Sequence, residues 1–296
     1  MKITIILLAL PFISCAKPND NRPHSNIEQQ NSEKITVTNN TDSLIFYNTI
    51  LPILTKTRNE NSDICNILDQ FLGTPYVAGT LENDTERLTV NFRELDCFTY
   101  WETAAALYIQ ASKNKYKLDF DTYKHILSSL RYENDKPEGY SSRNHYTSEW
   151  IKSNADKGLI QELTKSVGGI PLHKEINFMS ENKDKYPALA HNNKELQRIK
   201  EKEETLKGLQ IYYIPKKDVG KLSKQQIHNG DMLAVVTSIK GLDVTHVGFA
   251  RWVDNALHFQ HASSKNMKVE ITENPLSNYL EQTKHFIGIR VLRINL

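Results

Sequence analysis

Thr245-His246-Val247-Gly248-Phe249-Ala250-Arg251-Trp252-Val253-Asp254-Asn255-Ala256-Leu257-His258-Phe259-Gln260-His261-Ala262-Ser263 reads as two β-strands joined by a tight turn. Apolar, β-branched and aromatic residues flank Asp254-Asn255, two residue types that accept the positive φ angles of a two-residue hairpin. With that turn Val253 pairs with Ala256, and Gly248 falls opposite His261. His246 lies two residues before Gly248 and therefore points to the same face. The two imidazoles become diagonal neighbours, roughly 7–8 Å apart at the backbone and within side-chain reach. His258 falls opposite Arg251, on the other face. A three-residue turn would reverse this assignment, because a slip of one residue sends every side chain to the opposite face.

Upstream, Leu95-Asp96-Cys97-Phe98-Thr99-Tyr100-Trp101-Glu102 places a cysteine where an irregular segment becomes a helix. Asp96 is a good N-cap, so Cys97 enters the first turn, where unpaired N–H groups and the helix dipole favour a thiolate. The charge of Asp96 opposes this unless its carboxylate is used in capping. The spacing of Phe98, Trp101, Ala105 and Tyr108 predicts an amphipathic helix from Asp96 to about Ser112. A thiol at a helix start with two imidazoles on adjacent strands suits a cysteine hydrolase. Cys97 is the nucleophile, His246 takes its proton, and His261 holds the ring of His246 in one tautomer. The N–H of Cys97 is a natural half of an oxyanion hole. The bland alternatives are a small core hydrophobe at Cys97 and satisfied structural histidines. The same three side chains could ligate zinc, but neither HExxH nor CxxC spacing occurs, so no metal or other cofactor is assigned. No phosphate-binding glycine loop or nucleophile-elbow serine is present.

The rest of the 296-residue chain reads as helices first and strands later, which predicts an α+β fold with an antiparallel sheet. Helices are expected at Asp63–Leu72, Asp121–Leu130 and from Trp150 to Gly158. Strands are expected at Leu209–Ile214, Asp231–Thr237, His246–Val253, Leu257–Ala262 and Ile287–Ile294. Residues from about 175 to 208 are very polar and read as a surface insertion with a charged helix, Lys194–Lys207. Residues 16–43 have almost no large apolar side chains and read as a disordered tether, leaving 44–296 as a single domain. The N-terminus carries Lys2 and an apolar run from Ile3 to Ile13, about 16 Å as a helix and too short to span a bilayer. With Phe12-Ile13-Ser14-Cys15 it resembles a lipoprotein signal over residues 1–15, in which Cys15 is acylated. This implies export and a lipid-held membrane contact, at the periplasmic face of an outer membrane. Cys65 reads as a buried small hydrophobe. A net charge of +2 with Lys and Glu intermixed argues against nucleic acid.

Several motifs in order resemble the NlpC-type cell-wall cysteine hydrolases, a circularly rearranged papain-like superfamily. Gly73-Thr74-Pro75-Tyr76-Val77-Ala78-Gly79 is similar to the motif ahead of that family's nucleophile, and Asp96-Cys97 to its Asp-Cys pair. His246-Val247-Gly248, His261-Ala262-Ser263-Ser264 and Asn229-Gly230-Asp231 match its later strands. Phe98-Thr99-Tyr100 stands where the commonest form has Ser-Gly-Leu, and a long insertion separates the halves. Those departures, with His145-Tyr146 and Asn274-Pro275-Leu276-Ser277-Asn278-Tyr279-Leu280, resemble the N-acetylmuramoyl-L-alanine amidase-like branch of exported Bacteroides-type proteins. The resemblance implies cleavage of the amide between the lactyl group of N-acetylmuramic acid and L-Ala in peptidoglycan fragments (muropeptides). The wider superfamily resemblance implies substrate-binding roles for Tyr76 and Asp96, which in its endopeptidases are expected to bind a free L-Ala amine. An amidase offers no such amine, so these groups then need another role and Asp96 reads mainly as a cap. Aromatic faces with polar rims suggest Tyr76, His145, Tyr146 and Trp150 as a sugar or peptide platform, with ordinary packing the bland alternative for Tyr146 and Trp150. Alternatives are a peptidase cutting after γ-D-glutamate, a non-catalytic glycan- or peptide-binding lipoprotein, and an acyltransferase using the same thioester.

Overall fold

The computed structural model describes residues 40–60 and 63–295. The expected signal segment, Cys15 and most of the tether lie outside them. Helix α1 (Asn40–Ile45) already falls inside the expected tether, and one π turn joins it to α2 (Leu51–Asn59). The reason is Asp42, which is fully buried: it accepts from the Phe92 N–H and pairs with Arg93. Then follow α3 (Cys65–Asp69), α4 (Cys97–Ser112), α5 (Phe120–Arg131), α6 (Thr147–Asp156), β1 (Ile160–Glu162) and β2 (Ile170–Leu172). Three helices, α7 (Phe178–Glu181), α8 (Pro187–Ala190) and α9 (Asn193–Leu206), precede β3 (Ile211–Pro215) and α10 (Lys216–Val219). The chain ends with β4 (Met232–Thr237), β5 (Val244–Val253), β6 (Ala256–Ser263), β7 (Lys268–Ile271), α11 (Leu276–Glu281) and β8 (Phe286–Ile294). Among the described residues no helix is long and apolar enough to cross a membrane.

The strands form one antiparallel sheet in the order β2-β3-β8-β4-β5-β6-β7, with β1 also paired to β8. All five expected strands are present. The three short ones, β1, β2 and β7, carry too few residues to show a period. Alternate residues of the central strands serve two cores. Met232, Ala234, Val247 and Phe249 pack with the helices α2 to α5, whereas Leu233, Val235 and Ala250 pack with Leu276 and Leu280 of α11.

Helix α4 is not amphipathic as its spacing predicts. Nearly every residue from Thr99 to Ala111 is buried, so it runs through the core rather than along it. Its one charge, Glu102, is held by Arg131 Nε at 2.7 Å and Trp150 Nε1 at 3.1 Å. A helix buried all round exposes no polar face to orient it, so partners of this kind fix its register. The polar stretch from 175 to 208 also departs from expectation. Ile176, Met179, Leu189, Ile199 and Leu206 form a small core of their own with Tyr140 and Tyr146. The amphipathic apolar stripe of α9 was diluted among charges, which is why composition alone reads as surface.

Candidate active site

The β5–β6 hairpin has the predicted register. Asp254 and Asn255 have φ of 46° and 65°, and Val253 pairs with Ala256. The ladder runs to Phe249↔Gln260. Gly248 still faces His261: a Cβ at Gly248 would lie 2.9 Å from the His261 Cβ and 2.7 Å from the Phe259 ring. Only glycine lets the two strands hold both rings here. His258 pairs with Arg251 and its Nδ1 meets the Thr272 carbonyl at 2.7 Å, a structural role.

His246 and His261 meet as the parity of the hairpin requires. His246 Nε2 lies 2.6 Å from His261 Nδ1, with the rings at 88°. Both are buried, and His261 stacks on Phe259 at 4.9 Å. Burial holds the His246 imidazole down to about 4, and His261 is likewise lowered, by burial and then by its neighbour His246. Both rings are therefore neutral at physiological pH.

Cys97 is the first residue of α4. Asp96 caps the helix through a capping box: its Oδ1 accepts from the Thr99 N–H at 2.7 Å, and Thr99 Oγ1 accepts from the Asp96 N–H at 2.9 Å. Trp101, one turn on, donates from Nε1 to the Gly248 carbonyl at 3.0 Å and ties the helix start to β5. The sulfur in turn accepts from the N–H of Val247, the residue after His246. The expected lowering of the thiol does not occur in the resting site. Burial, then the neighbouring Asp96, push the half-buried Cys97 up to about 12, although the N–H groups of Val247, Cys97 and Phe98 pull the other way. Desolvating a sulfur anion outweighs a few dipoles. The resting site holds a neutral thiol, and the strand whose Val247 N–H it meets carries a neutral imidazole at His246.

The backbone brings Tyr76 close to Cys97. Its N–H donates to the Met267 carbonyl, and it bridges to Leu95, two residues before Cys97. The ring is buried, but its hydroxyl has no hydrogen-bond partner. Burial raises its phenol, with Cys97 and Asp96 adding to the effect, which places the hydroxyl in the field of both. Tyr279 of α11 is a site residue that the hairpin and helix patterns did not nominate. Its ring lies 5.3 Å from His261 and 6.4 Å from His246. Burial raises its phenol, followed by Cys97 and Glu270. Its only sequence signal was membership of the Asn274–Leu280 motif.

The expected platform of His145, Tyr146 and Trp150 is corrected. Trp150 is fully buried, stacked on Trp101 at 4.5 Å and bonded to Glu102. The Tyr146 hydroxyl donates to Glu203 Oε1 at 2.7 Å and accepts from the Met179 N–H at 2.7 Å. His145 lies against the Tyr140 ring, with Nε2 2.7 Å from the Tyr140 carbonyl. These aromatics hold the helices and the small core together. Among the described residues no group of three or more His, Cys, Asp or Glu side chains has the arrangement to hold a metal ion. The His246 nitrogen nearest His261 is already committed to that ring.

A model of the N-acetylmuramoyl-L-alanine amidase-like family matches residues 66–289. The chain is similar to the crystal structure of an N-acetylmuramoyl-L-alanine amidase from Bacteroides uniformis, at 33% identity and TM-score 0.74, over 79% of this chain and 99% of that one. A Bacteroides fragilis protein proposed to be a xylanase is similar at 35% identity and TM-score 0.72, over 77% and 99% of the two chains. A Legionella pneumophila protein at 23% identity shares the fold, with a TM-score of 0.58 over 86% and 97%. No curated protein matches. With most of its length matched and its α+β fold shared, the chain belongs to the N-acetylmuramoyl-L-alanine amidase-like family.

Proposed function

We propose that this protein is a cysteine amidase that cleaves the lactyl–L-Ala amide of muropeptides, on a papain-like NlpC-type scaffold. The observation that carries the reading is the His246–His261 hydrogen bond on the strand whose Val247 N–H reaches the Cys97 sulfur at the start of α4. Family membership and the Bacteroides uniformis amidase support the reaction class. With Nε2 of His246 engaged by His261, Nδ1 is the nitrogen left to act as base. A proton moves from the Cys97 sulfur to His246 Nδ1, and the thiolate attacks the lactyl carbonyl carbon. The backbone N–H of Cys97 stabilises the oxyanion. The C–N bond breaks as His246 returns the proton to the amine of L-Ala. Water, deprotonated by His246, then releases the lactyl carboxylate from sulfur. Starting from two neutral partners costs a proton transfer in each turnover. In return His246 stays a competent base well below pH 6.5, so the acid limb of kcat/KM falls towards 4. Attachment by an acylated Cys15 to an exported membrane surface completes the reading.

Mass spectrometry of muropeptides digested by the full chain tests it. Free lactyl sugar and a stem peptide beginning with L-Ala are expected, with loss of turnover in Cys97→Ala and after thiol alkylation but not after chelation. Release of L-Ala-D-Glu would replace the amidase with a γ-D-glutamyl endopeptidase. That second reading draws on the unpartnered Tyr76 hydroxyl near Asp96, a pair suited to a free amine. Turnover retained by Cys97→Ala would end the thiol mechanism.

A further inference from the structure

His261 is buried to 2% exposure and its Nδ1 is used by His246, yet its other ring nitrogen, Nε2, has no hydrogen-bond partner. Most buried polar atoms find a partner, so this orphan, like the Tyr76 hydroxyl, calls for an explanation. The acceptor that faces it is Glu270. His261 and Glu270 are direct cross-strand partners on β6 and β7, so their side chains share a face. Glu270 Oε1 lies 3.9 Å from His261 Nε2, too long for a hydrogen bond and short enough to close by a side-chain rotation or one bridging water. The same oxygen is held from the turn side by Asn266 Nδ2 at 2.7 Å. Tyr279 of α11 faces it from the other element packed here.

We propose that Glu270 is a positioning residue that fixes the tautomers of both histidines, and through them the base at His246 Nδ1. The proposal rests on the cysteine-amidase reading of this site. Each neutral imidazole has one N–H and one lone pair. An acceptor at Glu270 holds the His261 proton on Nε2, leaving Nδ1 to accept. His246 must then donate from Nε2, which leaves its Nδ1 lone pair for the thiol proton. In the opposite arrangement His261 donates from Nδ1, His246 accepts on Nε2, and its proton occupies Nδ1, where it blocks the base. When His246 becomes an imidazolium, the Glu270 carboxylate lies two hydrogen bonds away and stabilises the charge without taking a proton. The chain Cys97–His246–His261–Glu270 therefore sets direction at every link, and only its last member lies at the partly exposed edge of the sheet.

Glu270→Ala and Glu270→Gln in the full chain test this. A glutamine oxygen still accepts from Nε2, so it preserves the tautomers and loses only the charge. Glu270→Ala should lower kcat by about tenfold or more, a part of the 10²–10⁴ that a positioned base supplies, with KM little changed. Glu270→Gln should recover most of that loss. Imidazole ¹⁵N NMR supplies a readout independent of substrate: wild type and Glu270→Gln should show His246 protonated on Nε2, and Glu270→Ala a mixed or reversed state. Unchanged His246 tautomers in Glu270→Ala would overturn the proposal, as would equal loss of kcat in both variants with matching melting curves. If wild type turns over no muropeptide, the amidase reading fails while the NMR comparison still decides the role of Glu270.

Discussion

Two clusters of buried aromatic and polar residues lie near the start of α4, and they differ in how their hydrogen bonds are spent. Around Trp150 and Tyr146 the polar tips named above are satisfied: the indole N–H meets Glu102, and the phenol joins Glu203 to the backbone of Met179. Around Cys97 the Tyr76 hydroxyl and His261 Nε2 are left open, in a cluster that also holds the half-buried neutral thiol and the buried neutral imidazoles. Each such orphan lowers stability. Others lie elsewhere, at Tyr123 and Asn154 among them, but those beside Cys97 accompany a thiol and two imidazoles. The satisfied cluster is built to hold; on the proposed reading, the open one is where a substrate and a moving proton would find partners.

That contrast can be broken at several points. The largest effect is expected in the open cluster, where Cys97→Ala should abolish turnover with little change in melting temperature. His246→Ala should lower turnover by roughly 10²–10⁴ and also lower the melting temperature, because it leaves His261 Nδ1 without its partner. In the satisfied cluster, Glu102→Ala strands the buried Arg131 and should cost about 3–5 kcal/mol in denaturant unfolding. Acid should expose the buried histidines. The folded-state pKa of His246 is lowered from 6.5 to about 4, so the unfolded chain binds the extra proton in that interval. Stability should hold above about pH 6.5 and fall as pH drops towards 4, by on the order of 3 kcal/mol for His246 alone. His261 and His145 act in the same direction, and unfolding midpoints across that window would check the slope. The finest comparison is between two tyrosines that each lose a hydroxyl. Tyr146→Phe should cost about 1–3 kcal/mol and leave kcat/KM unchanged, because Glu203 and the Met179 N–H lose a partner. Tyr76→Phe should leave stability intact and lower kcat/KM by about three- to tenfold, the worth of one hydrogen bond made only to substrate. Equal behaviour of the two would erase the distinction.

Much of the site was legible because its signals are local. Asp254-Asn255 sets the hairpin register within four residues, and that register alone puts His246 and His261 together and His258 on the other face. Asp96 with Thr99 forms the cap that starts α4 at Cys97. The errors came where identity was taken for environment. Tyr146 and Trp150 have the chemistry of a sugar platform, but whether an aromatic ring meets solvent depends on which helices close over it. Glu270 and Tyr279 stayed hidden for the opposite reason. They lie on β7 and α11, short elements with no readable period.

The sequence by itself determined the residue types, the cap and the parity of the strands, since turn chemistry and the two-residue period act between neighbours. Only the tertiary structure decided that the thiol and both imidazoles rest neutral, and which buried groups are left without partners. Desolvation and hydrogen-bond satisfaction depend on everything packed around a group, and those neighbours come from elements far apart along the chain.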